Sequence, residues 1–196
     1  QFLNNIRLYK IDPIQARAPV KNMDTSALNP NGRNLAGVLH RLEKDDYIYP
    51  AILEWLELFV PNFESVYTDF DDKGYLNLVF QEKDFAKPFP TAMVSDGMIS
   101  MLGVLVALFD RPVPFGMTLI ESPETSLHPK ANMELVIDFH EETTFERPLW
   151  VTTHKEALVR CLKNHELWFV DKKQGMTKMK HVQVVDKLAS TLDQAW

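Results

Sequence analysis

With a single cysteine, Cys161, in 196 residues, the chain cannot close an internal disulfide. That fits a reducing, cytoplasmic setting, and the ordinary place for a lone free cysteine is the core. Long apolar runs are missing too. The longest, Met98 to Phe109, falls well short of the ~20 residues a membrane-spanning helix needs. No secretory leader is visible, nor any internal repeat or low-complexity tract. The chain starts at Gln1 without a methionine, as a processed, tagged or partial sequence does. Positive charge is scarce: 21 Lys and Arg against 27 Asp and Glu leave a net charge of −6. Phosphate backbones are gripped by clustered cations, so this balance argues against a protein that wraps nucleic acid. Lys172, Lys173, Lys178 and Lys180 fall on an alternating hairpin pattern and read as its solvated face.

What is present describes a globular domain. Apolar residues make up 45% of the chain and charged residues 24%, enough for one core or for one lobe of something larger. Ile6 and Leu8 alternate in an opening strand, and the Pro-, Asn- and Ser-rich residues 14–33 read as a loop. Leu35, Val38, Leu39 and Leu42 keep helical spacing behind Asn34, a candidate N-cap. "YPAILEWLELFVPNF" reads as a second helix ended by Pro61. "SVYTDFDDKGYLNLVF" reads as a hairpin joined at "DDKG", with Asp69, Asp71 and Asp72 at or beside the turn. A calcium loop is the competing reading of those acids, but it lacks its closing glutamate.

From residue 94 the texture changes. Met98–Phe109 reads as a buried helix, "MTLIE" as a buried strand, 130–142 as a helix and "PLWVTTH" as a second buried strand. "KEALVRCLK" is again helical, and a closing hairpin leads into a short helix ending at Trp196. Strands and helices in alternation predict an α/β fold with a parallel sheet flanked by helices. The expected organisation is one domain over 1–196, with a mixed helical and hairpin portion over 1–93 and the chemistry-bearing portion over 94–196.

Three short stretches carry that chemistry. "VSDGM", residues 94–98, places Ser95, Asp96 and Gly97 at the start of the buried helix. Unpaired amides and the helix dipole favour an anion there, although Ser95 or Asp96 as a plain helix cap explains the pattern equally well. "LIESPETSLHP", 119–129, ends a buried strand in Glu121, at the sheet edge where α/β proteins bind ligands. A carboxylate at that edge can hold Mg2+, or can be a solvated loop residue. "WVTTH" delivers His154 to the same kind of edge, as a phosphate sensor or as a histidine satisfied by its neighbours.

Together, in this order and spacing, the three resemble the C-terminal half of ABC-type ATPases. The similar branch is the soluble one that includes RecF- and SMC-like proteins and the AAA ATPases of bacterial DNA repair and phage defence. There "LSDGT" is the signature, "LIEEPENGLHP" is Walker B with the D-loop, and "VTTHS" carries a switch histidine. "NPNGRNLAGVL", 29–39, resembles "DGSNLAAVL" of the same branch. The resemblance implies a P-loop NTPase lobe that uses ATP and Mg2+ in a homodimer or higher oligomer. Ser95 and Gly97 would contact the γ-phosphate of a partner's ATP, with Asp96 between them counted in the nucleotide-binding stretch, and Glu121 would hold Mg2+. Thr125, Ser126 and His128 would lie in the D-loop at the interface, and His154 would sense the γ-phosphate. An effector nuclease or toxin is an implied partner. DNA is a possible partner that the acidic charge does not favour.

Two departures bound that expectation. No G-x-x-x-x-G-K-[ST] loop occurs, so Walker A is missing and this chain alone should not hold ATP tightly. Ser122 occupies the position of the family's catalytic glutamate, and losing a positioned general base costs about 10²–10⁴-fold in rate. Glu124, beyond Pro123, is not expected to point to the same place. The sequence therefore suggests binding or trapping of nucleotide with slow or impaired hydrolysis. The alternative is a degenerate, non-catalytic module that docks a partner protein. A metal-dependent hydrolase built on Asp69, Asp71, Glu121 and His154 is a third class, and no ligand spacing links those residues.

Overall fold

In the computed structural model, residues 2–21, 26–110, 113–124 and 131–182 are described. Their contacts divide the chain into two units, Gln1–His154 and Lys155–Trp196.

The first unit is built around α4, Asp96–Phe109, whose residues Met98 to Leu108 are all buried. So uniform a helix must be covered on every side. One side meets a parallel sheet in the order β1-β5-β6, formed by Ile6–Tyr9, Met117–Glu121 and Leu149–Thr152. Leu8 pairs with Leu119, and Leu119 with Trp150. Gly116 opens β5 at φ 143, where a Cβ would lie 2.5 Å from the Asn5 carbonyl oxygen, so only glycine lets β1 and β5 start side by side. On α4 itself, Gly103 leaves room for Ile11, which a Cβ would meet at 2.7 Å.

Other sides of α4 meet α2 (Leu35–Leu42) and α3 (Ile48–Phe59). These two helices also pack on an antiparallel sheet of β2 (Phe63–Phe70), β3 (Leu76–Glu82) and β4 (Phe89–Pro90). Leu35, Leu39, Ile52, Leu56, Phe63, Phe80, Leu102 and Leu105 form the core between them. At the far end of α4, buried Asp110 accepts from Arg41 Nη2 at 2.6 Å and from the Leu28 amide at 3.2 Å, tying the "NPNGRN" region to the helix.

Several sequence expectations need correction. The stretch expected to be loop from residue 14 contains α1, Pro13–Ala16, which Asp12 caps and Pro13 opens. Asn34 makes no cap bond. Its side chain accepts from the Asn29 amide at 2.7 Å and donates to the Ala27 carbonyl at 3.2 Å, folding the loop instead. The cap at the start of α3 comes from Asp45, which accepts from the Tyr47 and Ile48 amides. The β2–β3 turn is an ordinary one: Asp71 accepts from the Lys73 and Tyr75 amides, and Gly74 has φ 76.

The second unit holds α6 (Glu156–Val159) and a hairpin of β7 (Trp168–Lys173) and β8 (Met176–His181). Lys172, Lys173, Lys178 and Lys180 are exposed on it. Cys161 is not a core residue as expected: it is half-buried, with its thiol donating to the Ala157 carbonyl. The helix expected before Trp196 lies outside the described residues. The remaining helix, α5 (Ala131–Glu142), belongs to the first unit and joins β5 to β6. No helix among the described residues is long and apolar enough to cross a membrane.

Candidate functional site

The parallel register sets one edge of the site. Glu121, the last residue of β5, pairs with Thr152, the last residue of β6, so Glu121 and the exposed His154 leave the sheet on neighbouring strands. Lys10, just past the end of β1, reaches the same edge and places Nζ 2.6 Å from Glu121 Oε1. The pair is solvent-exposed on both sides, so the ammonium is an exchangeable counter-ion for this carboxylate.

Ser122 turns the chain sharply. Its φ is 49, a conformation that side-chain-bearing residues rarely hold, and its amide donates to the Thr152 carbonyl at 2.8 Å. Two residues on, Glu124 is 5% exposed. Its Oε1 accepts from the Thr153 hydroxyl at 2.6 Å, while Oε2 is buried with no hydrogen-bond partner among the described residues. Glu124 is therefore drawn toward the strand beside it. Thr125, Ser126 and His128 lie outside the described residues.

The second element is the start of α4. Ser95 is its N-cap, with Oγ accepting from the Met98 amide at 3.2 Å, so the plain capping role foreseen for this serine is realised. A capping oxygen keeps its own proton, and Ser95 and Asp96 are exposed, so that hydroxyl and the first helical amides face outward. Asp96 bonds to Arg17.

Helix α4 runs antiparallel to β5. Near its C-terminus, Ala107 and Asp110 share a small cavity with Gly116, Met117 and Thr118 at the beginning of the strand. Toward its N-terminus, Ser100 and Val104 share another with Ile120, Glu121 and Ser122 at the end. Ser95 lies five residues beyond Ser100, roughly 7.5 Å further along the axis at 1.5 Å per residue. Ser95 thus lies further along the axis than the residues of α4 that meet the Glu121 end of the strand.

The described residues contain no group of three or more His, Cys, Asp or Glu arranged to hold a metal. Asp69 and Asp71 belong to the antiparallel hairpin, away from the parallel edge of Glu121 and His154. Sequence reasoning passed over Lys10, Arg17 and the burial of Glu124. The first two act through partners 111 and 79 residues away, which no local pattern reveals.

Comparisons with known proteins bear on the fold and the family. No curated protein sequence matches the chain. Solved structures similar to it include an SMC ATPase studied for "ATP-driven dimerization and DNA stimulated activation", with a TM-score of 0.59 and 12% identity over 79% of this chain and 94% of that one. An SMC head bound to the C-terminal winged-helix domain of ScpA gives 0.58 and 11%, over 87% of this chain and 54% of that one. The SMC head of Pyrococcus yayanosii, with its coiled coil and joint, gives 0.55 and 13%, over 83% and 31%. The chain thus has the α/β fold of the SMC head P-loop NTPases, while spanning about half or less of two of these three chains. Residues 9–160 match the family described as "AAA domain, putative AbiEii toxin, Type IV TA system", and the chain belongs to that AAA ATPase family.

Proposed function

We propose that this chain supplies one face of a nucleotide sandwich: the signature loop at Ser95–Gly97, the Walker B acid Glu121 and the switch His154. The observation that carries the reading is the placement of Glu121 and His154 on one sheet edge, with the start of α4 projecting beyond it. Glu121 faces the nucleotide of its own protomer, while Ser95 and the first amides of α4 reach the phosphate held by a second copy. ATP with Mg2+ would supply the negative charge and the bridging cation; this chain's part is to receive them. Glu121 would be the residue to hold a metal, with Lys10 as its counter-ion otherwise. His154, exposed beside Thr153, would donate to a terminal phosphate. The D-loop role of Thr125, Ser126 and His128 belongs to the same proposal.

Turnover is the weak step. A serine at 122 has no useful basicity near neutral pH, so nothing at that position takes a proton from the attacking water. Such a site holds ATP longer than it cleaves it, and the state of the dimer then follows the nucleotide. This behaviour suits a switch that restrains an effector nuclease or toxin, or acts in DNA repair, until triggered. The test uses the protein as encoded in full by its gene. ATP with Mg2+ is expected to double its sedimenting mass while phosphate release stays far slower than binding. An unchanged mass on saturation with ATP counts against the sandwich.

One observation favours a second reading. Ile6, Leu8 and Trp150 are 43%, 56% and 56% exposed on one face of the parallel sheet, where such sheets are normally covered on both sides. A non-catalytic module that docks a partner protein over this face needs no ATP. It predicts the same partner affinity with and without nucleotide.

A further inference from the structure

Arg17, just past α1, directs its guanidinium at a single loop. Nη1 donates to the Thr91 carbonyl at 3.1 Å and to the Val94 carbonyl at 3.4 Å, Nη2 bonds to the Asp96 carboxylate, and Nε donates to the Pro13 carbonyl at 3.2 Å. The three loop partners fall within residues 91–96, the segment that delivers Ser95 to the cap of α4. Thr91 and Val94 are 9% and 7% exposed, and the Thr91 carbonyl also accepts from the Val94 amide at 3.1 Å, so Arg17 adds to a turn that the backbone already closes. A planar fork spreads its N–H groups over separate nitrogens in fixed directions, which suits these separated acceptors better than the single point charge of a lysine.

Asp96 makes this arrangement informative. A carboxylate in the first turn suits the helix dipole, but it repels any anion approaching the same amides. Arg17 bonds to that carboxylate and shares its charge. We propose that Arg17 is the positioning residue of the signature loop. It fixes the backbone around Ser95 and neutralises Asp96, so that the start of α4 can accept a phosphate presented by a second copy of this chain. The inference rests on the sandwich reading above.

The test compares ATP-dependent self-association of the full-length protein, by sedimentation with Mg2+ present, in wild type, Arg17→Ala, Arg17→Lys and Arg17→Ala/Asp96→Asn. Arg17→Ala is expected to weaken association at least tenfold, with Arg17→Lys in between. Adding Asp96→Asn to Arg17→Ala should recover several-fold, because it removes the exposed negative charge. A residue that merely supported the fold would gain nothing from that second change. Association of Arg17→Ala within twofold of wild type overturns the proposal, as does a double variant no better than the single one. Should wild type itself fail to associate with ATP, the sandwich reading falls. The clamp is then judged by hydrogen exchange: amides 95–98 exchange at least tenfold faster in Arg17→Lys if it holds the loop, and unchanged exchange overturns it.

Discussion

The loop before α4 and the turn after β5 face the same task and are built in opposite ways. The first is braced from several directions: Arg17 holds its carbonyls, Ser95 caps the helix behind it, and that helix is buried over eleven consecutive residues, Met98 to Leu108. The second rests on less. Glu121 is balanced by one exposed lysine, Ser122 sits in a disfavoured backbone conformation, and Glu124 has a buried oxygen with no partner among the described residues. The lesson is one of division of labour. On the proposed reading, rigidity is concentrated where a shape would be presented to another molecule. On the same reading, the edge that carries Glu121 keeps an exposed counter-ion, Lys10, and has Ser122 where the family's catalytic glutamate stands.

The contrast can be broken most forcefully from the braced side. Leu102 is fully buried at the centre of α4. Leu102→Ala should cost about 2–5 kcal/mol, read as a lower urea midpoint at unchanged slope. Gly103→Ala comes next. It drives a Cβ into Ile11 and should cost about 1–3 kcal/mol through overpacking. Because Ile11 lies between Lys10 and Asp12, that variant should also disturb the Lys10–Glu121 pair, whereas Leu102→Ala should not.

On the looser side the expected effects are small. Lys10→Ala removes a pair whose members are 70% and 43% exposed, so the stability change should stay near 0–1 kcal/mol and vanish in high salt. The full-length protein carrying it should need less Mg2+ to support nucleotide binding, because Glu121 is no longer occupied. A Mg2+ requirement that rises instead would make Lys10 a ligand-side residue and not a stand-in.

Smallest of all is an acid-side effect away from both regions. Amides of Ile48 and Tyr47 hold the Asp45 carboxyl below its ordinary value of 3.8, and the Tyr75 amide does the same for Asp71. A carboxyl whose value falls on folding adds stability that is fully present above its unfolded value and is lost as pH drops through the folded one. Wild type should therefore lose more melting temperature between pH 5 and pH 3 than Asp45→Asn or Asp71→Asn does. Equal losses would show that these caps contribute nothing.

How much of this could be read in advance follows from the range of the forces involved. Helix α4 and strand β5 were legible because unbroken apolar runs leave few ways to be buried. The sheet edge was legible because each of the two strands ends in a polar residue, but the burial expected of the second was not found: no residue of β6 is buried, and Trp150 is exposed. Helix α1 was missed although Asp12-Pro13 is itself a start signal, since four residues among Pro, Asn and Ser look like loop. The roles of Lys10 and Arg17 were not legible, because each depends on a partner that only the folded chain brings near. Nor was the conformation of Ser122, which serine adopts rarely and announces in no way.

The most direct test of the account is a single-turnover measurement of ATP cleavage in the full-length protein, wild type against Ser122→Glu. The account predicts that wild type retains ATP uncleaved and that the glutamate speeds cleavage by about 10²–10⁴-fold. Wild type cleaving ATP as fast as Ser122→Glu would contradict it, and would mean that another residue already supplies the base.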